Sequence, residues 1–254
     1  MIQKTWIAHF EELRKRLVFS ILIIIPACIP VFIFYDLFFD WLLTPVRPVL
    51  DQKNTMLYAL TVYEAFLVKL KFSFLIALIG TLPVHIFNAC AFIFPGLKKK
   101  EKTFLSLILV SVFVLGAGGI VYAYNYIIPI VFNFFLDSGF FPQIVGTLLN
   151  LDSTVFLIVQ LLVSFFVTMQ FPIILIALLA LKIVSLRALI KSSRYVVVLI
   201  FIAAAVLTPP DAFSQIAVAI PLALIYFLTI GIGLLFARRK KSVKDDTVPT
   251  GGEG

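Results

Sequence analysis

Six apolar runs, at 17–37, 70–94, 103–128, 153–179, 195–207 and 214–236, occupy more than half of the 254 residues. A helix needs roughly 20 apolar residues to cross about 30 Å of hydrocarbon. Lipid offers the backbone no hydrogen-bonding partner, so a spanning segment must satisfy its own N–H and C=O groups, and runs of this length do so as helices. The chain is therefore read as an all-α integral membrane protein with six transmembrane helices. Composition agrees: 62% of residues are hydrophobic and 13% charged, where an ordinary soluble domain is about a quarter charged. The fifth run is the exception. Its 13 residues reach only about 20 Å at 1.5 Å per residue, so it is expected to draw length from its flanks or to sit where the bilayer thins.

Charge sets the expected topology. The formal net charge is +8, from 21 Lys and Arg against 13 Asp and Glu. Basic residues precede the first run, lie between the second and third and between the fourth and fifth, and follow the sixth, whereas residues 103–181 contain no Lys or Arg. Alternate loops are thus basic, which by the positive-inside rule puts both termini in the cytoplasm. The same positions explain the excess without invoking nucleic acid. The first run is expected to be a retained span rather than a cleaved leader, because it is longer than a signal h-region, contains Pro26 and Pro30, and is followed by no A-x-A-like site. Residues 1–236 then form the membrane domain, and 237–254 are expected to be a basic, then disordered, cytoplasmic tail. Cys28 and Cys90 both fall inside apolar runs and read as small buried hydrophobes. Prolines 26, 30, 83, 172 and 221 inside the runs are expected to kink helices and curve the bundle.

Signatures of catalysis are missing. There is no G-x-x-x-x-G-K-[ST] loop, and neither His9 nor His85 has the helical His/Glu spacing of a metal site. The chain is read as a non-enzyme with no metal and no cofactor. "LGAGG" at 115–119 lies within an apolar run and reads as close helix packing. In "HFEELRKRL", Glu11 and Lys15, and Glu12 and Arg16, have the i,i+4 spacing of helix-surface pairs. Glu11, Glu12 and Glu101 are also the only acids on an otherwise basic face apart from the tail, and a carboxylate is what a guanidinium ligand requires. In "FIFPGLKKKEK", Pro95 and Gly96 end the second span and Glu101 stands among four lysines. His85, Asn88, Gln160 and Gln170 lie at membrane depth, where an amide is expected to bond to a neighbouring helix. In "TPPDAFSQ", 208–215, the prolines are expected to stop the fifth helix, with Asp211, Ser214 and Gln215 capping the sixth.

In order and approximate spacing, "HFEELRKRL", "FIFPGLKKKEK", "FVLGAGGIVYAY", "MQFPIILI" and "TPPDAFSQIAVAIP" resemble the TatC family, the polytopic receptor subunit of the twin-arginine protein translocase. The resemblance implies six spans in a curved, glove-like bundle in a bacterial-type cytoplasmic (inner) membrane. It implies binding of twin-arginine signal peptides of folded precursor proteins at the cytoplasmic face, and recruitment of TatA/TatB-type single-span subunits. Self-association within a larger complex and transport driven by the proton-motive force are also implied. By position, Glu12, Glu101, Arg14 and Pro95 match the signal-peptide-binding set, and Gln170, Asp211 and Tyr226 match positions of a membrane cavity or partner contact. The chain departs from the family where Gln170 stands in place of a common Glu, and where Phe227 follows Tyr226 in place of one. The rival reading is a secondary transporter of a small solute; its usual mark is midplane ionisable groups, and here the deep polar residues are mostly amides.

Overall fold

The computed structural model describes residues 2–93, 99–137, 148–181 and 183–245. It is almost entirely helical: α1 (Ile2–Ile33), α2 (Tyr35–Leu43), α3 (Arg47–Gln52), α4 (Glu64–Ile93), α5 (Lys99–Tyr122), a π turn (Ala123–Ile127), α6 (Ile128–Phe135), α7 (Leu151–Thr168), α8 (Phe171–Ala180), α9 (Leu186–Leu207) and α10 (Ala212–Asp245). Two short strands, β1 (Leu57–Tyr58) and β2 (Leu149–Asn150), pair in parallel, Leu57 with Leu149 and Tyr58 with Asn150. Among the described residues six helical stretches are long and apolar enough to cross a membrane: Arg14–Ile33, Glu64–Asn88, Lys102–Phe135, Leu151–Ala180, Leu186–Leu207 and Ala212–Leu234. The third joins α5 and α6 through the π turn, and the fourth joins α7 and α8.

Two compact units divide the chain, Met1–Phe113 with Tyr124–Val159, and Val114–Ala123 with Gln160–Gly254. In the first unit α1 packs along α4. Val31, Leu42, Val46, Val68, Phe72, Val131 and Phe132 are buried. The Trp41 ring stacks on Tyr124 with centroids 4.7 Å apart, and the Tyr124 hydroxyl donates to the Trp41 carbonyl. Pro129, which cannot donate to the carbonyl four residues back, is the second residue after the π turn.

In the second unit α10 packs on α9 and α8, around Ile200, Ala204, Val218, Ala219, Leu222 and Tyr226. "LGAGG" does pack closely. A Cβ on Gly119 would come within 2.9 Å of the Phe165 carbonyl oxygen, and one on Gly116 would strike the Phe166 ring, while Gly118 faces open space.

Helix ends depart from the apolar runs. α9 has 22 residues, about 33 Å at 1.5 Å each, because it starts at the Ser185 cap, whose side chain accepts the Ala188 N–H at 3.2 Å. Arg187, Lys191 and Arg194 occupy its first half, so the flank supplies the length that the apolar run lacks. α10 continues as helix to Asp245, beyond the boundary at 236 expected from composition; residues 246–254 lie outside the described residues. The prolines also differ in effect: helix runs through Pro26, Pro30, Pro83 and Pro221, whereas Pro172 stands at a break between α7 and α8.

Candidate functional site

The charged collar on α1 takes one of the two pairings its spacing permits. Arg16 donates to Glu12 Oε1 from Nε at 3.0 Å and from Nη2 at 2.6 Å, and from Nη1 to the Asn88 carbonyl of α4 at 3.3 Å. Asn88 in turn donates from Nδ2 to Ser20 Oγ at 3.3 Å. One guanidinium therefore joins the two helices and holds the Glu12 carboxylate, whose side chain keeps 42% of its exposure. Both bonds fall on Oε1, and among the described residues nothing bonds Oε2. Glu11 and Lys15 form no such pair; with the exposed Arg14 and the apolar Val18, Phe19 and Leu22 they line an open groove on α1. Glu101 belongs to the first turn of α5, but its side chain, and the whole of Pro95, lie outside the described residues.

The three residues assigned to a cavity or partner contact each bond a backbone group, and for Gln170 and Asp211 it is one that a helix end or break leaves without its usual partner. At Gln170 the ladder slips: its N–H bonds Val167 O at 3.0 Å rather than the carbonyl four residues back. Its side-chain Nε2 donates to Phe166 O at 2.7 Å, replacing the missing bond. Asp211 caps α10, with Oδ1 accepting the Ser214 N–H at 2.6 Å. The Gln215 side chain instead reaches back to Phe201 O at 3.0 Å. Thr208 is followed by two prolines that cannot donate, and the Leu207 carbonyl at the end of α9 is met by Gln160 Nε2 at 3.2 Å and by Ser164 Oγ. Tyr226 is fully buried; its hydroxyl donates to Leu189 O at 2.9 Å and lies 3.2 Å from Ser193 Oγ. It fastens α10 to α9, while neighbouring Phe227 is exposed. Of the deep amides, Asn88 and Gln160 bond to a neighbouring helix and Gln170 to its own. His85 shares a 2.9 Å hydrogen bond with Thr81, one turn away.

Glu64, at the start of α4, is a polar centre that motif reading passed over. Its Oε2 accepts the Leu60 and Thr61 N–H groups at 2.7 and 3.3 Å. Its Oε1 accepts Asn150 Nδ2 at 2.6 Å and the Asp152 N–H at 3.1 Å. Beside it Lys71 Nζ lies 3.0 and 3.1 Å from the two carboxylate oxygens of Asp152. Four donors on one buried carboxylate clamp the segment before α4 to the segment before α7, next to the β1–β2 pair. The available signal was "TVYE", Thr61 to Glu64, a T-x-x-E capping box ahead of an apolar run.

Known proteins resemble this chain over most of its length. The model of the family described as Sec-independent protein translocase protein (TatC) matches residues 8–221. The Sec-independent protein translocase protein TatC of Magnetococcus marinus is 33% identical over 235 residues, 92% of this chain and 85% of its own length. That of Escherichia coli K12 is 32% identical over 232 residues, 91% and 87% of the two chains. A crystal structure of the twin-arginine translocase receptor TatC in DDM superposes with a TM-score of 0.73 at 28% identity, covering 89% of this chain and 99% of that one.

Proposed function

The chain belongs to the TatC family of Sec-independent protein translocase proteins, and on that footing we propose that it is the membrane receptor that reads twin-arginine signal peptides. Its charged collar would lie at the cytoplasmic face of the inner membrane, with both termini on that side. The observation that carries this reading is the Glu12 carboxylate, which already accepts two N–H groups of one guanidinium, Arg16, while among the described residues nothing bonds the second oxygen of this half-exposed side chain. An incoming guanidinium binds at that second oxygen or exchanges for Arg16, since paired N–H···O bonds between guanidinium and carboxylate are strong and directional.

Glu101, in the first turn of α5, supplies the second carboxylate for the arginine pair, Arg14 sits beside the first on α1, and Pro95 completes the binding set. TatA/TatB-type single-span subunits dock on the lipid-facing sides of the spans, the proton-motive force drives export of the folded precursor, and the receptor itself assembles in several copies. Gln170, Asp211 and Tyr226 contribute by holding the helix breaks and the α9–α10 contact against which such partners pack.

The test is site-specific photocrosslinking in native membranes between a twin-arginine precursor and this protein. Glu12→Ala and Glu101→Ala should each weaken the crosslink, and the double variant should lose it. A loss of roughly tenfold corresponds to about 1.4 kcal/mol, the scale of one charge-assisted hydrogen bond. An undiminished crosslink in the double variant removes these residues from the binding set.

A further inference from the structure

On the side of the first unit where α1 ends and α4 begins, Lys69 has no carboxylate at ion-pair distance among the described residues. Its neighbour Lys71 is paired with Asp152. The Lys69 ammonium instead lies over two ring faces, 4.8 Å from the centroid of Phe32 and 5.3 Å from that of Tyr35. Ring faces stabilise a cation electrostatically but leave its N–H donors open. Charged groups in or next to a span normally find a counter-charge or the headgroup layer, and Lys69 is the sixth residue of α4, at the level where α1 is finishing.

Phe32 also forms one end of an open groove of about 640 Å³ between α1 and α4, lined by Ile21, Ile25, Cys28, Leu70 and Phe74 among others. The groove follows α1 from Ile21 to Ile33, a separation of 12 positions and so about 18 Å of helix rise, against about 15 Å for one leaflet of a 30 Å hydrocarbon core. An apolar channel one leaflet deep, with a cation over its rim that no described carboxylate pairs, matches a lipid rather than a helix. The depth is that of a single acyl chain, and the cation is placed for a headgroup.

The geometry points to a phospholipid site on this face, with one acyl chain lying in the α1–α4 groove and the phosphodiester on the Lys69 ammonium. The lipid it takes is an anionic phospholipid such as phosphatidylglycerol. A zwitterionic headgroup brings its own cation to the phosphate and competes with Lys69, whereas an anionic one leaves the phosphate to it. The site requires nothing of the signal-peptide reading, because no residue is shared between them.

The experiment uses the full chain in phosphatidylcholine nanodiscs containing a minor fraction of phosphatidylglycerol with a photoactivatable acyl tail. Crosslinks should map to the stretch Ile25–Ile29 of α1 and to Leu70 and Phe74 of α4. Labelling should fall about fivefold in Lys69→Gln, the usual worth of one Lys near an anionic headgroup, and stay unchanged in Lys71→Gln. Ile25→Trp, which fills the groove and leaves Lys69 in place, should also lower it, so the test stands even where the lysine variant folds poorly. Equal labelling of wild type and Lys69→Gln, or labelling spread evenly around α1, overturns the site. A phosphatidylcholine probe that labels the groove as strongly overturns the anionic preference. Groove labelling that gives way to Cys28–Cys28 crosslinks between copies as protein is enriched shows that a second chain covers this face, and overturns it too.

Discussion

Tyr226 carries one hydroxyl into the contact between α9 and α10, and that hydroxyl meets a backbone carbonyl, Leu189 O. Removing it while keeping the ring isolates the value of the bond. Tyr226→Phe should therefore lower stability by about 1 kcal/mol, within the range for interhelical hydrogen bonds in lipid, read as the unfolding midpoint in mixed detergent–SDS micelles. An unchanged midpoint would mean that the Leu189 carbonyl is equally well served by another donor, such as Ser193 Oγ. The Glu12–Arg16 pair was legible in the chain because i,i+4 is a local relation that helix geometry guarantees. Glu64 was not, because Asn150 and Asp152 stand 86 and 88 positions away. Glu64→Gln places an amide donor among four donors, so the amides of Leu60, Thr61 and Asp152 should lose hydrogen-exchange protection. Retained protection in that variant would show that the β1–β2 pair holds the two segments without the carboxylate.

Among elements, the glycine stretch of α5 separates packing from permissiveness. Gly119 and Gly118 are adjacent and identical in composition terms, yet an added methyl meets the Phe165 carbonyl oxygen at one and open space at the other. Gly119→Ala should cost roughly 1–3 kcal/mol through overpacking, and Gly118→Ala should be neutral or gain up to about 1 kcal/mol of helix propensity; thermal unfolding of the two variants side by side decides it. The turn at 208–215 behaves as a joint between elements. Asp211→Ala should lose about 1 kcal/mol of cap energy, with Asp211→Asn retaining most of it, measured by the same unfolding assay. Equal losses in both variants would point to charge rather than the cap bond. Two prolines and an aspartate between apolar runs signalled this joint in advance. That Gln215 bonds Phe201 rather than capping α10, and that Gln160 and Ser164 serve the last carbonyl of α9, follow from packing that no local pattern records.

Across the whole molecule, six spans and basic alternate loops lead to one topological prediction. Alkaline phosphatase fused after Gln52 should be active and the same enzyme fused after Asp245 inactive; equal activities would contradict the proposed placement of both termini in the cytoplasm. The spans were legible because burying backbone in hydrocarbon demands long apolar helices, a constraint written directly in composition. The helix ends were less so: α9 starts nine residues before its apolar run, at Leu186 behind the Ser185 cap, because a cap rather than hydropathy sets where a helix begins. Sequence by itself determined the membrane class, the number of spans, the charged collar and the family motifs, all of which depend on local spacing or on total apolar length. Tertiary structure decided that Tyr226 faces inward, that Gln170 repairs the ladder beside Pro172, that Glu64 clamps two distant segments, and that Lys69 overlooks an apolar groove. Each of these depends on which surfaces meet across helices, and that is set by side-chain shape and hydrogen-bond supply rather than by order along the chain.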